Sequence, residues 1–397
     1  PRRRRAAIAA RFRPGEPAHP RTALCSSPGM RVLLAAVLVF HGLIHLMGTA
    51  KAFGLANLEA LKLPIPPAMG VVWTAAALLF LSTAAALFLW PRGWWWLAAA
   101  AIAVSMVAIV PSWADARAGA LANALIAVAA TVALLLGGPA SLRAAYDRDV
   151  REARAAARGS EAVVTEADLA PLPAPVQRYL RVAGVVGQPR VRTMRLRMHG
   201  RIRSGPAAGW MPLDVHPVTT FDPPARYFYF DATMARLPVP GYHRFAGGEA
   251  TMLVKMLGAV PVAHDSGPSV TKSETVTFLN DLALLAPSAL LLPNIRWEPV
   301  DDRQARAVFT LGAHTIAATL VFDAEGHLRD FWSDDRGKAE PGGTAHGLRW
   351  STPVRTFRRF GAVTLMAEAE ALWHEPAGPY AYLELTLDDV VYNSSVP

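Results

Sequence analysis

Four apolar stretches crowd the first 140 residues, at roughly 32–50, 69–90, 94–111 and 118–137. Each approaches the ~20 residues needed to cross a ~30 Å hydrocarbon layer at ~1.5 Å per residue. The first has no small-residue cleavage pattern of a signal peptide, and three more spans follow it, so all four read as transmembrane helices. Trp90, Trp94, Trp95 and Trp96 flank Pro91-Arg92-Gly93, as expected for an interfacial aromatic belt around a tight turn. The lysines and arginines of the short loops place both chain ends in the cytoplasm. Arg31, Arg92 and the run Arg143, Arg148, Arg151, Arg154 and Arg158 lie on one side, against Lys51, Lys62 and Arg117 on the other.

The formal charge of +9 suggests nucleic acid until its location is considered. Residues 1–29 hold seven arginines against Glu16, a net of +6, which leaves the rest of the chain near +3. That basic tail is expected not to be native to the working protein, which begins near Met30, and a nucleic-acid partner is not expected. Cys25 is the only cysteine. Disulfide frameworks, zinc knuckles and CxxC pairs within one chain are thereby excluded, and no phosphate loop, GxGxxG, GxSxG or HExxH occurs. No cofactor is implied.

HGLIHLMG places His41 and His45 four apart on one face of the first span. Metal binding would need ligands from other helices, and two histidines on one face cannot clamp opposite sides of a haem. No metal site is expected. His45, Lys51, Asp115 and Asn123 fall near the outer end of the bundle with Arg117. They form either a polar pocket for a quinone, ion or proton, or interhelical hydrogen bonds, which we weigh ahead.

Residues 139–165 are charged and alanine-rich and read as a helical linker. LPAPVQRYLRVAG (172–184) reads as a short helix, with Pro175 in its first turn and Gly184 past its end. From Val191 a two-residue period takes over: Met194, Leu196 and Met198 alternate with Arg195, Arg197 and His199. Further strands are expected at 226–233, 249–257, 272–278, 305–311, 315–322, 328–333, 349–359, 363–373 and 380–392. The expected fold is α+β: a four-helix membrane domain (30–138), the linker, and a mainly antiparallel β domain (166–397) forming a curved sheet or half-barrel.

One stretch breaks this texture, FLNDLALLAPSALLLPNIRW (278–297). Its apolar run of ~11 residues is half a membrane span. It reads as a helix capped by Asn280 or Asp281, with Pro287 starting a second turn or kink. Packed into a concave sheet, it either fills the interior or walls a greasy ligand site.

The blocks PVQRYLRVAG, RLRMHGRIR, GWMPL, HRFAGGEATMLVK, ETVTFLNDLALLAPSALL, IRWEPVDDR, FWSDDR, RWSTPVRTFRRFG and VYN resemble a bacterial family of unknown function. Its members join this domain to N-terminal membrane helices. HGLIHLMGTAKAFGL and SWADARAGALAN resemble the membrane part, which is similar to DoxX-like four-helix proteins. The resemblance covers about 30–393 and implies no activity. The half-barrel is also similar to lipoprotein-carrier folds that hold acyl chains, a fold analogy only.

The leading functional expectation is a hydrophobic or lipid-like ligand bound at the membrane surface. Leu282, Leu285, Leu290 and Leu291 would line the cavity, with His243, Asn280, Arg296 and Trp297 as gatekeepers. The alternatives are an enzyme using Asp302, Asp334 or His374 as acid or base, and a sensor coupled to the outer polar pocket. VDDR (Asp301 to Arg303) and SDDR (Asp334 to Arg336) suit strand-end turns better than a shared carboxylate site. The GG of RFAGGEATM is more simply a hairpin turn than a ligand approach. Of His243, His264, His314 and His374, none has a metal-spaced companion. Arg355, Arg358 and Arg359 either meet anionic headgroups or form a solvated strand face.

Overall fold

The computed structural model describes residues 28–158, 162–340, 343–345 and 347–394. The basic tail expected over 1–29 falls almost entirely outside them. Helices α1 (Pro28–Ala52), α2 (Pro67–Leu89), α3 (Trp94–Ile109) and α4 (Trp113–Gly137) pack each against the next, and α1 also meets α4. Small residues let them approach closely: a Cβ on Gly48 would lie 2.2 Å from the Trp73 ring. By length and composition, three helical stretches suffice to cross a membrane: α1, α2, and Trp113–Ala156 counted through the helix that follows α4. The third expected span is shorter than read from the sequence. α3 has 16 residues, ~24 Å at ~1.5 Å each, and Pro111, with no N–H to donate, closes it.

Ser141 caps helix α5 (Leu142–Ala156) by accepting a hydrogen bond from the Ala144 N–H at 3.1 Å. Short helices α6 (Glu166–Leu169) and α7 (Ala174–Val182) lead into the sheet. Its strands are β1 (Thr193–Ile202), β2 (Met211–Phe221), β3 (Pro224–Met234), β4 (Leu237–Ala246), β5 (Glu249–Met256), β6 (Val260–Ser266), β7 (Ile295–Asp301), β8 (Gln304–Leu311), β9 (His314–Phe322) and β10 (Leu328–Ser333). A separate small hairpin, β11 (Lys338–Glu340) with β12 (Gly343–Ala345), precedes β13 (Arg349–Ser351), β14 (Val354–Phe360), β15 (Val363–Glu375) and β16 (Gly378–Tyr392).

The large sheet runs β6-β5-β4-β3-β2-β1-β16-β15-β13-β10-β9-β8-β7, with β14 on β15, and every pairing is antiparallel. Consecutive strands form two meanders, and the last strand seals the seam against the first. β6 and β7, adjacent in sequence order, are opposite edges. Laid flat, thirteen strands at ~4.8 Å spacing would separate those edges by nearly 60 Å. The connection between them is helix α8 (Pro268–Leu285), 18 residues or ~27 Å, plus a 3-10 turn over Pro287–Leu291 worth ~10 Å. The sheet must curl to let that connection reach, and α8 crosses its concave face, packing on β5, β6, β9, β10 and β15.

The strand expected at 272–278 is therefore the first half of α8. Thr271, Val276 and their neighbours favour strands by propensity, but burial on all sides decides otherwise. Four hydroxyls of this segment bond back along the chain, while Ser269 Oγ is buried without a partner. Thr271 donates to Gly267 O at 3.0 Å, Ser273 to Ser269 O at 3.0 Å, Thr275 to Thr271 O at 2.9 Å and Thr277 to Ser273 O at 3.1 Å. Asn280 and Asp281 lie inside the helix rather than capping it, and both are buried. Pro287 begins the 3-10 turn, as expected. The expected strand 349–359 is broken at Thr352-Pro353 into β13 and β14.

β2, β4, β6, β7 and the small β11–β12 hairpin are not among the strands expected from the sequence. β2 and β4 are buried on both faces, which erases the two-residue period. Phe228, Phe230 and Phe245 face the α8 core, while Val218, Tyr227, Tyr229 and Tyr242 form a second cluster on the other face with Leu142 and Tyr146 of α5. Phe230 lies over Gly241 of β4, where a Cβ would come 2.0 Å from the ring.

Candidate functional site

α8 carries two acids seven residues apart, Glu274 and Asp281, on the face toward β3 and β4. Arg226 of β3 answers both: its Nε donates to Asp281 Oδ2 at 2.6 Å and its Nη1 to Glu274 Oε2 at 3.1 Å, and all three side chains are buried. His243 Nδ1 stands 3.7 Å and Arg336 Nη2 3.9 Å from Glu274 Oε1. Burial opposes the charge on Glu274. The approach of His243 and the charges of Arg226 and Arg336 outweigh it and hold the carboxyl down at about 2. Burial pushes Asp281 up against the opposing pull of Arg226. Arg226 itself is held charged, because the two carboxylates overcome its desolvation. We take the trio as ionised near neutrality, with Asp281 the first to protonate on acidification. Arg336 also donates to Thr277 Oγ1 at 3.2 Å and lies over the rings of Trp350 (4.7 Å) and Trp373 (5.4 Å).

The second feature lies where α8 ends. A cleft of ≈ 310 Å³ is lined by Pro171, Leu172, Leu290, Leu291, Leu292, Pro293, Ile295 and Trp297, with Asp168 and Arg190 among its polar residues. Arg190 Nη2 donates to Asp168 Oδ1 at 2.7 Å, and Asp168 also accepts from Thr165 N at 2.8 Å. Those bonds, led by the Thr165 backbone, lower the Asp168 pKa. The Trp297 indole N–H is buried without a hydrogen-bond partner.

The residues expected to form one ligand site are thus divided. Leu290, Leu291 and Trp297 border the cleft. Leu282 and Leu285 are core, and Tyr179 and Tyr392 donate hydrogen bonds to the Ala283 and Leu285 carbonyls beside them. Asn280 donates to Thr352 Oγ1 at 2.6 Å and His243 faces Glu274, so neither gates the cleft. Arg296 is exposed and paired with Glu298 at 2.5 Å.

Nor do the expected acid–base residues converge. Asp302 sits on the exposed β7–β8 turn, where its carbonyl accepts from Arg178 and Asp301 caps Arg303 N at 2.7 Å. Asp334 pairs with Arg349 at 3.0 Å in the open. His374 Nε2 meets Ser351 Oγ at 2.8 Å, and its pKa is lowered, first by burial and then by Arg349. Asp335 accepts from Lys272 of α8 at 2.7 Å and from Ala317 N of β9 at 2.8 Å, contacts to other elements rather than the local turn expected for SDDR. Among the described residues no group of three or more His, Cys, Asp or Glu could hold a metal.

In the helical part, His41 Nε2 meets Asn123 Oδ1 at 3.0 Å, Asn123 Nδ2 donates to Ser105 Oγ at 2.9 Å, and His45 Nε2 meets the same hydroxyl at 2.9 Å. These bonds tie α1, α3 and α4 together, the arrangement weighed ahead from the sequence. Lys51 and Asp115 serve the α1–α2 loop instead. Lys51 donates to Leu61 O, and Leu63 N donates to Asp115 Oδ2 at 2.7 Å.

The sequence analysis does not reach Arg226 or Glu274, and it reads Arg336 only as part of the SDDR tetrad. The available signal was the spacing of Glu274 and Asp281, which share a face only if 272–278 is helical.

A family model matches residues 162–385, more than half of the chain and all of the buried ionic cluster and cleft. The chain belongs to DUF6544, a family of unknown function. No curated protein matches it. Solved structures resemble the chain distantly. A domain assigned to outer membrane lipoprotein sorting from Vibrio parahaemolyticus has 10% identity, covers 52% of this chain and 87% of its own, and gives a TM-score of 0.33. A DUF1329 family protein from Desulfovibrio piger has 10% identity, 59% and 96% coverage and a TM-score of 0.35. A LolA superfamily protein from Nitrosomonas europaea has 9% identity, 59% and 96% coverage and a TM-score of 0.27. Likeness at these TM-scores supports no inference about ligand or activity.

Proposed function

We propose that this DUF6544 chain is a multi-pass protein of the bacterial cytoplasmic membrane, its β domain on the cytoplasmic side, where it takes up a hydrophobic or lipid-like ligand. Helices long and apolar enough to cross a bilayer support the anchoring, and α1–α4 are read as a DoxX-like bundle on the HGLIHLMG and SWADARAG segments. The concave face holds α8, so the ligand site is the cleft at its end rather than the sheet interior. One observation carries the reading: Leu172, Leu290, Leu291, Leu292 and Ile295 line the cleft beside Trp297, whose buried N–H has no partner. An unsatisfied buried donor costs roughly 1–3 kcal/mol, which a ligand carbonyl or carboxylate would relieve. The volume stands at the small end of the ~300–1,000 Å³ typical of small-molecule sites, fitting one short chain rather than a whole two-chain lipid.

Native mass spectrometry of the full chain released from detergent micelles tests this. Wild type should carry an apolar or amphiphilic adduct that Leu291→Asp loses while its circular dichroism is unchanged. An identical adduct pattern in the two proteins would refute the cleft as the site.

A further inference from the structure

The β3–β4 and β5–β6 hairpins end side by side, since the Leu257 N–H donates to Pro238 O at 2.8 Å. Their tips carry apolar side chains into the open: Met234 and Leu237 are each 36% exposed, Val260 60% and Val262 49%. β6 is also an edge strand, the position where exposed apolar residues are ordinarily avoided. The backbone is unusual at the same place. Among the described residues four non-glycines have positive φ, and three of them, Ala235 (49°), Arg236 (68°) and Leu257 (55°), form these turns. Such conformations are sparsely populated for L-residues with a side chain and persist only where the surroundings impose them.

The location says what covers the patch. Gly258, at the β5–β6 turn, abuts the last turn of α4, where a Cβ would lie 2.7 Å from Leu135 O. The tips therefore sit level with the end of a helix read as membrane-spanning. Trp90, just past α2, and Trp96, in the first turn of α3, lie on the same side of the bundle and are 51% and 59% exposed, as in an interfacial belt. The only charged residues on the two tips are cations, Arg236 and Lys255, and Arg92 lies on the same side. An apolar edge with basic residues at a helix end matches the headgroup layer of an anionic leaflet, which attracts juxtamembrane cations.

We propose that the β3–β4 and β5–β6 hairpin tips rest in the headgroup layer of an anionic bilayer, with Leu237, Val260 and Val262 reaching toward the acyl chains. The β domain would then be held against the membrane by its own edge as well as by the α4–α5 connection. This rests on the reading of α1–α4 as membrane-spanning.

The test uses the full chain with Cys25→Ser and single cysteines at Val260→Cys, Leu237→Cys, Val128→Cys and Val300→Cys, each carrying a polarity-sensitive fluorophore. Val128 is exposed on α4 and Val300 is exposed near the β7–β8 turn at the other sheet edge. The proteins are placed in phosphatidylcholine–phosphatidylglycerol nanodiscs with or without shallow nitroxide lipids. We expect blue-shifted, nitroxide-quenched emission at Val260 and Leu237, no quenching at Val300, and weaker quenching at the tips in pure phosphatidylcholine. Tips that behave like Val300 while Val128 is quenched would overturn the proposal and leave the spanning helices standing. An unquenched Val128 would overturn the spanning reading and this proposal with it.

Discussion

Replacing Arg226 with methionine would leave Glu274 and Asp281 of α8 buried without the guanidinium that bridges them. The bonds lost are at 2.6 and 3.1 Å, both charge-assisted, at roughly 1.5–3 kcal/mol each. The stacking of Arg226 over Phe228 at 4.5 Å adds about 0.5–1 kcal/mol. Glu274 keeps His243 and Arg336 nearby, which limits the damage, so the expected cost near neutral pH is roughly 3–5 kcal/mol, the usual figure for breaking a buried pair from one side. Urea unfolding of the full chain in mild detergent, followed by the β-sheet signal in circular dichroism, reads this directly. The deficit has a sign with pH. Without Arg226 both acids have raised folded pKa values, so the cost is fully present above those values and shrinks as pH falls through them. The double variant Arg226→Met/Asp281→Leu removes the unpaired charge and should recover most of the loss. A cost below about 1 kcal/mol, or equal costs for the single and double variants at every pH, would refute the claim that this trio is a mutually dependent buried charge cluster.

Three further outcomes are expected. Gly200→Ala places a Cβ 1.9 Å from Glu384 O across the β1–β16 seam and should cost roughly 1–3 kcal/mol, more than Gly241→Ala, whose obstacle is the movable Phe230 ring; thermal unfolding ranks the two. His216 is held down at about 4, first by burial and then by Arg143 and Arg197, so its stabilisation is present above pH ~6.5 and lost as pH falls toward 4. Over ~2.5 units at ~1.4 kcal/mol per unit that is at most about 3.5 kcal/mol, and His216→Asn should flatten the melting-temperature profile over that window. Asn123→Leu removes the bonds to His41 and Ser105 and should destabilise the helical part by about 1 kcal/mol, given interhelical bonds averaging about 0.6 kcal/mol, read as a lowered melting temperature.

The sequence revealed those elements that bury one face. β1 shows the alternation of Met194, Leu196 and Met198, and β8 and β9 show it almost as clearly. β2 and β4 hide it because α5 and α8 cover opposite faces, so Tyr242 and Phe245 are both buried. α8 was half legible. Its leucine run reads as a helix, but ETVTF reads as a strand until the hydroxyls are given their own i−4 carbonyls. The site was less legible still, because Arg226 and Asp281 are 55 residues apart and nothing local announces their meeting. Of the two conspicuous tetrads, VDDR forms the β7–β8 turn, whereas SDDR leaves β10 as irregular chain, its Asp335 tied to Lys272 of α8 and Ala317 of β9 and its Arg336 turned to the cluster.

The buried charges answer a question that α8 itself raises. Fourteen of its eighteen residues are buried, and its mixture of hydroxyls and leucines has no strong apolar stripe to fix its rotation. Apolar contact is non-directional, so several rotations of α8 would bury comparable area. Only one of them brings Glu274 and Asp281 to Arg226 and Asn280 to Thr352. A one-residue slip turns these groups by ~100°, leaving two carboxylates and a guanidinium buried and unpaired. The cluster therefore acts on specificity more than on net stability. Because the 3-10 turn Pro287–Leu291 follows α8 after the single non-helical residue Ala286, the placement of α8 sets where Leu290 and Leu291 emerge, and hence the shape of the cleft. Loss of Arg226 should accordingly disturb ligand uptake at the cleft even where the sheet survives, an effect that core filling alone would not produce.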